Sequence, residues 1–375
     1  MEGEKLTYIT TSNLYWDRFE LSTLKEMLFT KSEIEKCTAS KGDLLVCEGG
    51  DIGRAAIWQY DYDIRIQNHI HRLRGLGEVN HRLFLFWFMY LKTMGLIGGK
   101  GIGLMGLSSG ELDKLEIPVP PLREQKSIVS KIDNLFIAIQ KLDDDCSLLM
   151  TNIEQSKSKI LDLAIRGKLV PHDPADEPAI ELLKHINPAF QPSHNLHYGE
   201  TIPTGWTCAT YWMLNQHKNK SINPMDSPQN SFELYSVPIY DTGKPEYLTG
   251  KEIGSTKQSV EKGDVLLCKI NPHLNRAWVV EHYKPELKCI ASSEWLIFKS
   301  DGLYPEYARL FFMSPSFRSL MLSNVSGVGG SLMRARASAV DSYTIWIPPY
   351  NEQIRIVTAV KAYYKVLDEI VAGLN

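Results

Sequence analysis

The sequence predicts an α+β protein in which one mixed α/β module occurs twice and a long helix follows each copy. A strand motif, KGDLLVC at 41–47, recurs as KGDVLLC at 262–268. A Pro-Pro-x-x-Glu-Gln motif occurs at 120–125 and again at 348–353, and after both motifs apolar residues alternate in steps of four and three. Because these features come in the same order twice, we infer that the module is duplicated.

Composition limits the class of protein. At 375 residues and 43% hydrophobic content, the chain is long enough for two or three domains with their own cores. The formal net charge of −3 means that any contact with nucleic acid must be local. The six cysteines form no CxxC pair and have no His at zinc-ligand spacing, which favours reduced thiols in the cytoplasm.

No membrane association is expected. Residues 1–13 lack the apolar stretch of a signal peptide. The most apolar run, LFLFWFMYL at 83–91, is too short to span a bilayer and predicts a buried helix instead.

Each copy of the module has the same predicted order of elements. A Lys-Gly-Asp turn opens an apolar strand, and Arg54 or Arg276 then leads into the next strand. An aromatic-rich stretch follows, at 82–91 or 306–314, and predicts a helix. A glycine-rich loop completes each copy, GGKGIGLMG at 98–106 and SGVGGSLMRA at 326–335.

Each long helix is predicted to start at a proline pair. Pro121 and Pro349 suit the first turn, where a missing N–H costs nothing, and Glu124 and Glu352 follow where the helix dipole favours a carboxylate. The heptad pattern of the first helix lasts about five repeats and predicts a coiled coil whose natural partner is the second helix. At ~1.5 Å per residue the first helix spans on the order of 65 Å. The predicted seam is Ile128, Ile132, Leu135, Ile139, Leu142, Cys146, Leu149, Ile153, Ser156, Ile160 and Leu163 in the first helix, and Ile356, Val360, Tyr363, Leu367, Ile370 and Leu374 in the second.

The segment between the first long helix and the second module is rich in proline. IRGKLVPHDPADEPAIELLKHI at 165–186 is predicted to turn at Gly167 and to form a short helix from about Pro178. Residues 187–195 are predicted to be a linker. IPTGWTCATYW at 202–212 then opens the second module.

No motif supports catalysis by this chain. An adenine methyltransferase holds the target amine with a side-chain acceptor just before Pro-Pro-Tyr. Here Ile347 stands in that place, and it can accept no hydrogen bond. Gly101-x-Gly103-x-x-Gly106 has the spelling of a dinucleotide fingerprint but follows a helix, so a flexible loop is predicted.

Metal binding is not expected either. His69-x-His71 has no evident third ligand for zinc. The carboxylates of Asp143 and Asp145 are predicted to be solvated charges on the long helix. The sequence therefore predicts no catalytic residue, no cofactor and no metal site.

The twin Pro-Pro-x-x-Glu-Gln motifs, the twin Lys-Gly-Asp strands and GKLVPHDPADEPAIELL at 167–183 resemble the specificity subunit of a type I restriction-modification system. The resemblance covers nearly the whole chain. It implies two tandem target-recognition domains that each read one half of a bipartite double-stranded DNA site, joined by long spacer helices that form an antiparallel coiled coil. It also implies a subunit without catalytic residues, which binds modification (methyltransferase) subunits along the helices and is joined by a restriction (motor and nuclease) subunit.

By position, the resemblance predicts a first target-recognition domain at 1–119, a first spacer at 120–195, a second target-recognition domain at 196–347 and a second spacer helix at 348–375. Aligning Lys41 with Lys262 places Met1 opposite Ile222, so the first domain is expected to be incomplete at its N-terminus. The second helix is little more than half as long as the first, which leaves the far end of the first without an intramolecular partner. If the chain is truncated, self-association is a predicted consequence.

Candidate DNA contacts come from local excesses of positive charge in the modules. A solvated surface explains any one of these charges, but an overall acidic DNA-binding protein requires such local excesses. In the first module the candidates are Arg54, Arg65, His69, Arg72, Arg74 and Lys100, and in the second they are Lys218, Lys220, Asn275, Arg276, Arg334 and Arg336.

Two alternative hypotheses stay open at this point. One is a stand-alone adenine-specific methyltransferase or nuclease, and the other is a coiled-coil scaffold whose globular arms bind protein. Only a DNA-recognition subunit is expected to bind duplex DNA in a strongly salt-dependent way without binding S-adenosylmethionine. The target bases depend on loop geometry and DNA deformation, which no motif encodes.

Overall fold

The computed structural model describes residues 3–97, 107–193, 201–326 and 333–374. The chain divides into two compact units, Met1–Asp144 and Asp145–Asn375. Both units combine helices with short strands, so the predicted α+β class is confirmed. The finer division into two recognition modules and two spacers stays a prediction.

The first unit contains three sheets and the start of the long helix. Its sheets have the strand orders β4-β1-β8-β5, β7-β6-β9 and β2-β3. The elements are β1 (Glu4–Ile9), β2 (Leu14–Tyr15), β3 (Arg18–Phe19), β4 (Lys25–Phe29), α1 (Lys31–Cys37), β5 (Thr38–Ala39), β6 (Leu44–Cys47), β7 (Ala55–Ile57), β8 (Ile64–Ile66), β9 (Ile70–Leu73), α2 (His81–Thr93), α3 (Ser109–Leu112) and α4 (Leu122–Ile165), which continues into the second unit.

The second unit repeats this arrangement with a larger sheet. Its sheets have the orders β11-β14-β17-β12-β13, β16-β15-β18, β10-β21 and β19-β20. The elements are α5 (Ala179–Ile186), β10 (Thr207–Thr210), α6 (Tyr211–Leu214), β11 (Ser221–Ile222), β12 (Ser231–Tyr235), β13 (Glu246–Thr249), β14 (Lys257–Ser259), β15 (Val265–Cys268), β16 (Ala277–Val279), β17 (Lys288–Ala291), β18 (Trp295–Phe298), α7 (Pro305–Met313), α8 (Pro315–Ser323), β19 (Val325–Ser326), β20 (Arg334–Ala335), α9 (Ala337–Val340), β21 (Thr344–Ile347) and α10 (Tyr350–Ala372).

The Lys-Gly-Asp motif leads into the middle strand of a three-stranded sheet in both units. In β6, Leu45 and Cys47 pack into one core cluster, while Leu44 and Val46 pack into another. In β15 the alternate residues likewise belong to two clusters. A strand buried on both faces has no polar side to show, which explains its continuous apolar sequence.

The registers of these two sheets establish which residues are equivalent. Val46 pairs with Ala55 in the first unit, and Leu267 pairs with Ala277 in the second. Arg54 and Arg276 therefore occupy the same position. Leu44 pairs with Leu73, and Val265 with Phe298, so the residues that follow, Arg74 and Lys299, are equivalent as well.

Within the second unit, the end of α4 packs antiparallel to α10. Lys157 of α4 bonds to Asp368 over 2.7 Å, and its carbonyl accepts from the Tyr364 hydroxyl over 3.0 Å. Further along the chain, His172 bonds to Glu352. Later residues of the segment 157–172 therefore contact earlier residues of α10, as expected for an antiparallel arrangement.

The predicted seam is buried only where α4 meets the second module. Ile153, Ile356 and Val360 are buried, while Ile160, Leu163 and Leu367 are partly buried. Leu161 and Ala164, which the heptad pattern left out, are buried too. Ile128 and Ile132 are partly buried in the first unit. The exposed seam residues are Leu135, Ile139, Leu142, Cys146, Leu149, Ser156, Tyr363, Ile370 and Leu374.

Local predictions from the sequence are mostly confirmed. Residues 83–91 lie in α2, the chain turns at Gly167 with a φ of 67°, and α5 begins one residue after Pro178. One prediction needs correction: within the predicted linker at 187–195, the described residues 187–193 are not simply a linker, because Phe190 is buried in the core of the second unit. Burying an aromatic ring anchors this segment to the module.

Candidate nucleic-acid interface

The C-terminal ends of β6 and β15 carry equivalent arginines on tyrosine rings. Arg54 lies 5.1 Å from the ring centre of Tyr15, and Arg276 lies 5.7 Å from that of Tyr240. Each arginine also has an acidic neighbour, Asp51 at 3.5 Å and Asp241 at 3.0 Å respectively. Such stacking holds a guanidinium plane in a fixed orientation. The duplication thus extends to the placement of a cationic side chain.

The residues that directly follow the two glycine-rich segments bond to the same end of these sheets. The N–H of Leu107, which follows residues 98–106, donates to the carbonyl of Glu48 over 2.6 Å. The N–H of Asn271 donates to the carbonyl of Met333, which follows residues 327–332, over 2.7 Å. The glycine-rich residues themselves, including Lys100 and the Gly101–Gly106 motif, lie outside the described residues.

In the second unit, two of the predicted basic segments lie side by side at this end. Ile270 forms a bridge with Arg334, and the N–H of Ala335 donates to the carbonyl of Lys269 over 2.8 Å. The segment 269–276, which carries Asn275 and Arg276, therefore borders the segment that carries Arg334 and Arg336. The sequence predicted these segments separately, and only the fold brings them together.

The side chains of these two segments differ in whether they already form contacts within the fold. Arg334 forms two hydrogen bonds to Glu294, at 3.2 and 3.0 Å, and the Asn275 amide donates to the carbonyl of Met313 over 2.6 Å. Arg336 is exposed and precedes the short helix α9. Asn275 also has a φ of 52°, so it shapes the turn between the strands.

Lys218 and Lys220 belong to a different place. They are exposed beside Lys299 and Asp264, at the N-terminal end of β15. A four-residue strand spans about 13 Å, so these lysines cannot join the arginine cluster in a single small patch. The second-module candidates therefore divide between the two ends of one sheet.

Three further candidates of the first unit, all arginines, are used within the fold. Arg65 and Arg72 both donate to Thr38, one to its hydroxyl and one to its carbonyl. Arg74 forms a two-pronged bond to Asp43, at 2.5 and 2.7 Å. His69 lies 3.4 Å from Glu48 and is largely exposed. These contacts account for most of the local positive charge that the sequence suggested for DNA.

The cysteine at the end of each central strand is unsuited to nucleophilic chemistry. Burial raises the pKa of the Cys47 thiol, and it raises the pKa of Cys268 to about 11. Thiols with raised pKa values are protonated at neutral pH and react poorly. All six cysteines are free, as the sequence predicted.

The Pro-Pro motifs start helices and do not form a base-binding site. Ile347, at the place of the amine acceptor, is fully buried in β21, where it pairs with Thr207. Pro349 caps α10 directly before its first residue, one position earlier than the first-turn placement expected from the sequence. Ile347 is also the residue that argued against a methyltransferase motif in the sequence.

The glutamine of each Pro-Pro-x-x-Glu-Gln motif joins the long helix to the aromatic helix of its module. Gln125 accepts from the N–H of Asn80 over 2.8 Å and donates to the carbonyl of Pro120 over 2.8 Å. Gln353 accepts from the N–H of Tyr304 over 2.6 Å and donates to the carbonyl of Pro348 over 3.0 Å. Both glutamines are buried. Sequence reasoning missed this role, although the repeated Gln was its signal.

The glutamates of the two motifs differ. Glu352 is buried and accepts from the indole of Trp206 over 3.0 Å, with His172 at 2.9 Å on the same oxygen. Burial raises the pKa of Glu352, and the two hydrogen bonds act against that rise. Glu124 is exposed. Trp206, from the segment at 202–212, thus supplies a partner for the glutamate of the second motif.

The described part of the chain shows neither a metal-ligand cluster nor a membrane-spanning helix. Among the residues that the structure describes, no group of three or more His, Cys, Asp or Glu side chains is placed to hold a metal ion. No helix in that part of the chain is long and apolar enough to cross a membrane.

Comparison with known proteins identifies relatives of this chain. Residues 2–143 match the family model of the type I restriction modification DNA specificity domain. The EcoKI specificity subunit of Escherichia coli K12 is 24% identical over 279 residues, which cover 73% of this chain and 56% of that protein. The EcoEI specificity subunit of Escherichia coli is 29% identical over 236 residues, or 55% of this chain and 38% of that protein. The chain spans about half the length of the curated relatives it matches, or less.

Solved structures support the fold. The HsdS subunit from Thermoanaerobacter tengcongensis covers this chain completely, with 86% of its own length, a TM-score of 0.56 and 14% identity. A chain from a structure of a type I R-M system covers 99% of this chain and 88% of its own length, with a TM-score of 0.58 and 16% identity. Together with the family model, these matches confirm the resemblance that the sequence motifs indicated.

Proposed function

We propose that this relative of the type I specificity subunits is a non-catalytic DNA-recognition subunit, in which each module reads one half of a bipartite duplex site. The observation that carries the proposal is the duplicated strand end, where Arg54 and Arg276 occupy equivalent positions on tyrosine rings. Because both modules carry an arginine at the same position, the pair suits a DNA target that is read in two halves. Such a role places the chain in the cytoplasm with the DNA.

The loops at the C-terminal ends of β6 and β15 are the surfaces that would face DNA. In the second module the segments that carry Arg276, Arg334 and Arg336 lie side by side, which gives a local positive charge on a chain whose formal net charge is −3. Local charge is what attracts phosphates, whereas base edges are read by hydrogen-bonding side chains within a groove. Neutralising partners such as Glu294 can be exchanged for phosphates at little cost, because exposed ion pairs are weak.

The exposed apolar stretch of α4 is the surface proposed for the protein partners. Leu135, Ile139, Leu142 and Leu149 are exposed at heptad spacing. An apolar seam of this kind suits another helix. We expect this stretch to bind modification subunits, and we expect a restriction subunit to join the complex. The alternative is that the seam binds a second copy of this chain.

Exchanging the second module tests the proposal. Residues 196–347 are replaced by the equivalent module of another family member, and methylated sites are mapped in cells that also carry the modification subunits. One half of the methylated sequence should change, while the other half stays the same. A change in both halves, or no methylation by the unaltered chain with its partners, would contradict the two-reader proposal.

A binding experiment tests the surface itself. Arg336→Ala should weaken duplex binding and lower the slope of log affinity against log salt by about one unit, as expected for one lost phosphate contact. Lys365→Ala is the control, because Lys365 is an exposed lysine on α10 rather than on the module. Equal affinities for Arg336→Ala and the unaltered chain at every salt concentration would remove this loop from the interface.

A further inference from the structure

A polar cavity of about 530 Å³ lies beside the N-terminal end of β15 in the second unit. His217 and Asp264 line it, and their side chains are only 8% and 1% exposed. Among the described residues, the Nε2 atom of His217 and the Oδ1 atom of Asp264 have no hydrogen-bond partner. Buried polar atoms are normally satisfied, so these two atoms leave hydrogen-bonding capacity unused beside the cavity.

The first unit shows what an equivalent carboxylate binds. Asp43 precedes β6 just as Asp264 precedes β15. Both use one carboxylate oxygen to accept a backbone N–H, from Ser40 over 2.8 Å and from Glu261 over 2.9 Å. Asp43 also receives the guanidinium of Arg74 on both oxygens, at 2.5 and 2.7 Å. The turn is therefore a site that holds a guanidinium fork.

Because of two sequence differences, the equivalent turn in the second unit has no guanidinium group on its carboxylate. Arg74 is replaced by Lys299, and Ser40 is replaced by Glu261. The Lys299 ammonium bonds to Glu261 over 2.6 Å. An ammonium is a compact charge that one carboxylate can hold, so Glu261 draws it away from Asp264. His217 fills part of the space, with its Nδ1 atom 3.8 Å from Asp264.

The electrostatics of the cavity favour a ligand that donates hydrogen bonds. Burial lowers the pKa of His217, so its imidazole is neutral near pH 7. The Asp264 carboxylate favours the tautomer with the proton on Nδ1, since a lone pair facing a carboxylate is repelled. Nε2 is then an acceptor, like Oδ1 of Asp264. Burial also raises the pKa of Asp264, a cost that a bound cation would offset.

We propose that the cavity between His217 and Asp264 binds a guanidinium group, which takes the position that Arg74 holds on Asp43. The rim does not exclude a cation, because Lys218, Lys220 and Lys299 are balanced by Glu261, Asp264 and Asp301. A guanidinium offers several N–H donors in one plane, enough to bond Asp264 on both oxygens. The source of the group is either a small guanidinium compound or an arginine side chain of a partner protein.

Titration of the full chain with methylguanidinium tests the proposal. The imidazole signals of His217, observed by NMR with ¹⁵N-labelled histidine, should shift and saturate. Methylammonium is the matched control, and it should bind at least five-fold more weakly because it lacks the planar fork. Asp264→Asn should weaken methylguanidinium binding by about ten-fold or more, as expected for the loss of a charge-assisted pair. No saturable shift, or equal binding of the two cations, would overturn the proposal and leave water as the occupant.

A second variant supplies the guanidinium from within the chain. Glu261→Ser with Lys299→Arg copies the residues of the first unit, so the new arginine should occupy Asp264. The His217 signals should then resemble those of the ligand-bound chain, and added methylguanidinium should cause no further shift. A folded double variant that still binds methylguanidinium as tightly as the unaltered chain would contradict the proposal.

A peptide distinguishes the two sources of the group. Acetyl-Gly-Arg-Gly-amide should bind at least as tightly as methylguanidinium if the site accepts an arginine of a partner protein. If the peptide is excluded while methylguanidinium binds, the site serves a small guanidinium compound. Binding of neither ligand would overturn the proposal.

Discussion

The backbone N–H of Tyr304 donates a hydrogen bond to Oε1 of Gln353 over 2.6 Å, although the two residues are 49 positions apart. Tyr304 immediately precedes α7, and Gln353 lies in the first turn of α10. The amide nitrogen of Gln353 bonds to the carbonyls of Gly302 and Pro348. One buried side chain thus fixes where the long helix starts relative to the aromatic helix of its module.

Replacing this glutamine should destabilise the second unit. Gln353→Leu leaves the N–H of Tyr304 and two carbonyls buried without that partner, and each such group costs about 1–3 kcal/mol. We expect a loss of about 3 kcal/mol or more in the free energy of unfolding, measured with urea. Gln125→Leu is the matched variant, and its effect should appear in hydrogen exchange of the first unit. A loss below about 0.5 kcal/mol for both variants would show that these hydrogen bonds do not stabilise the fold.

Gly167 should tolerate no side chain. Its φ of 67° strains any residue with a Cβ, and that Cβ would lie 2.8 Å from Pro203 and 3.1 Å from Trp206. Gly167→Ala should therefore lower the free energy of unfolding by about 1–3 kcal/mol. Gly110→Ala is the control, because Gly110 lies in α3 with nothing within 4 Å of its added Cβ. The prediction fails if the two variants unfold at the same urea concentration.

The ion pair between Asp176 and Arg355 should make stability depend on pH. The Arg355 guanidinium lies 2.6 Å from Asp176, and this bond lowers the carboxylate's pKa. A lowered folded pKa gives stability that is fully present above the unfolded value of about 3.9 and is lost as the pH falls through the folded value.

Asp176→Asn measures that contribution. The variant should be less stable than the unaltered chain by about 1–3 kcal/mol at pH 7. The difference should shrink as the pH falls below about 4, where the native carboxylate is protonated as well. Thermal unfolding of both proteins from pH 7 to pH 3 provides the measurement. A constant difference across this range would show that the carboxylate's charge does not contribute.

The long helix should respond differently to a charge along its length. Ile153 is 3% exposed, whereas Leu142 is 63% exposed. Ile153→Asp should cost about 3 kcal/mol or more, because it removes apolar burial and places a carboxylate in the core. Leu142→Asp should leave the free energy of unfolding within about 0.5 kcal/mol of the original and instead weaken co-purification with modification subunits. Equal destabilisation by both would show that Leu142 is buried in the isolated chain.

Much of this protein follows from its sequence, because the decisive signals are local or repeated. The Lys-Gly-Asp strands, the aromatic helices and the turn at Gly167 each depend on neighbouring residues, and the structure contains all of them. Repetition then strengthened each prediction, since two copies of a motif are harder to explain by chance than one. The family resemblance rested on repeated or local motifs as well: the Lys-Gly-Asp strands, the Pro-Pro-x-x-Glu-Gln motifs and the segment 167–183.

The tertiary structure alone decided what the charged and polar side chains do. Arg74 is a predicted DNA contact, and the fold gives it a partner in Asp43, 31 residues away in the chain. The segments that carry Arg276 and Arg334 looked like separate surfaces, but they pair at one end of a sheet. An apolar residue needs only burial, and the periodicity of the sequence indicates which residues are buried. A charged residue needs a specific partner, and only the folded chain provides that partner. For the same reason, the difference between Asp43 and Asp264 became visible only by comparison of two folded copies of one turn.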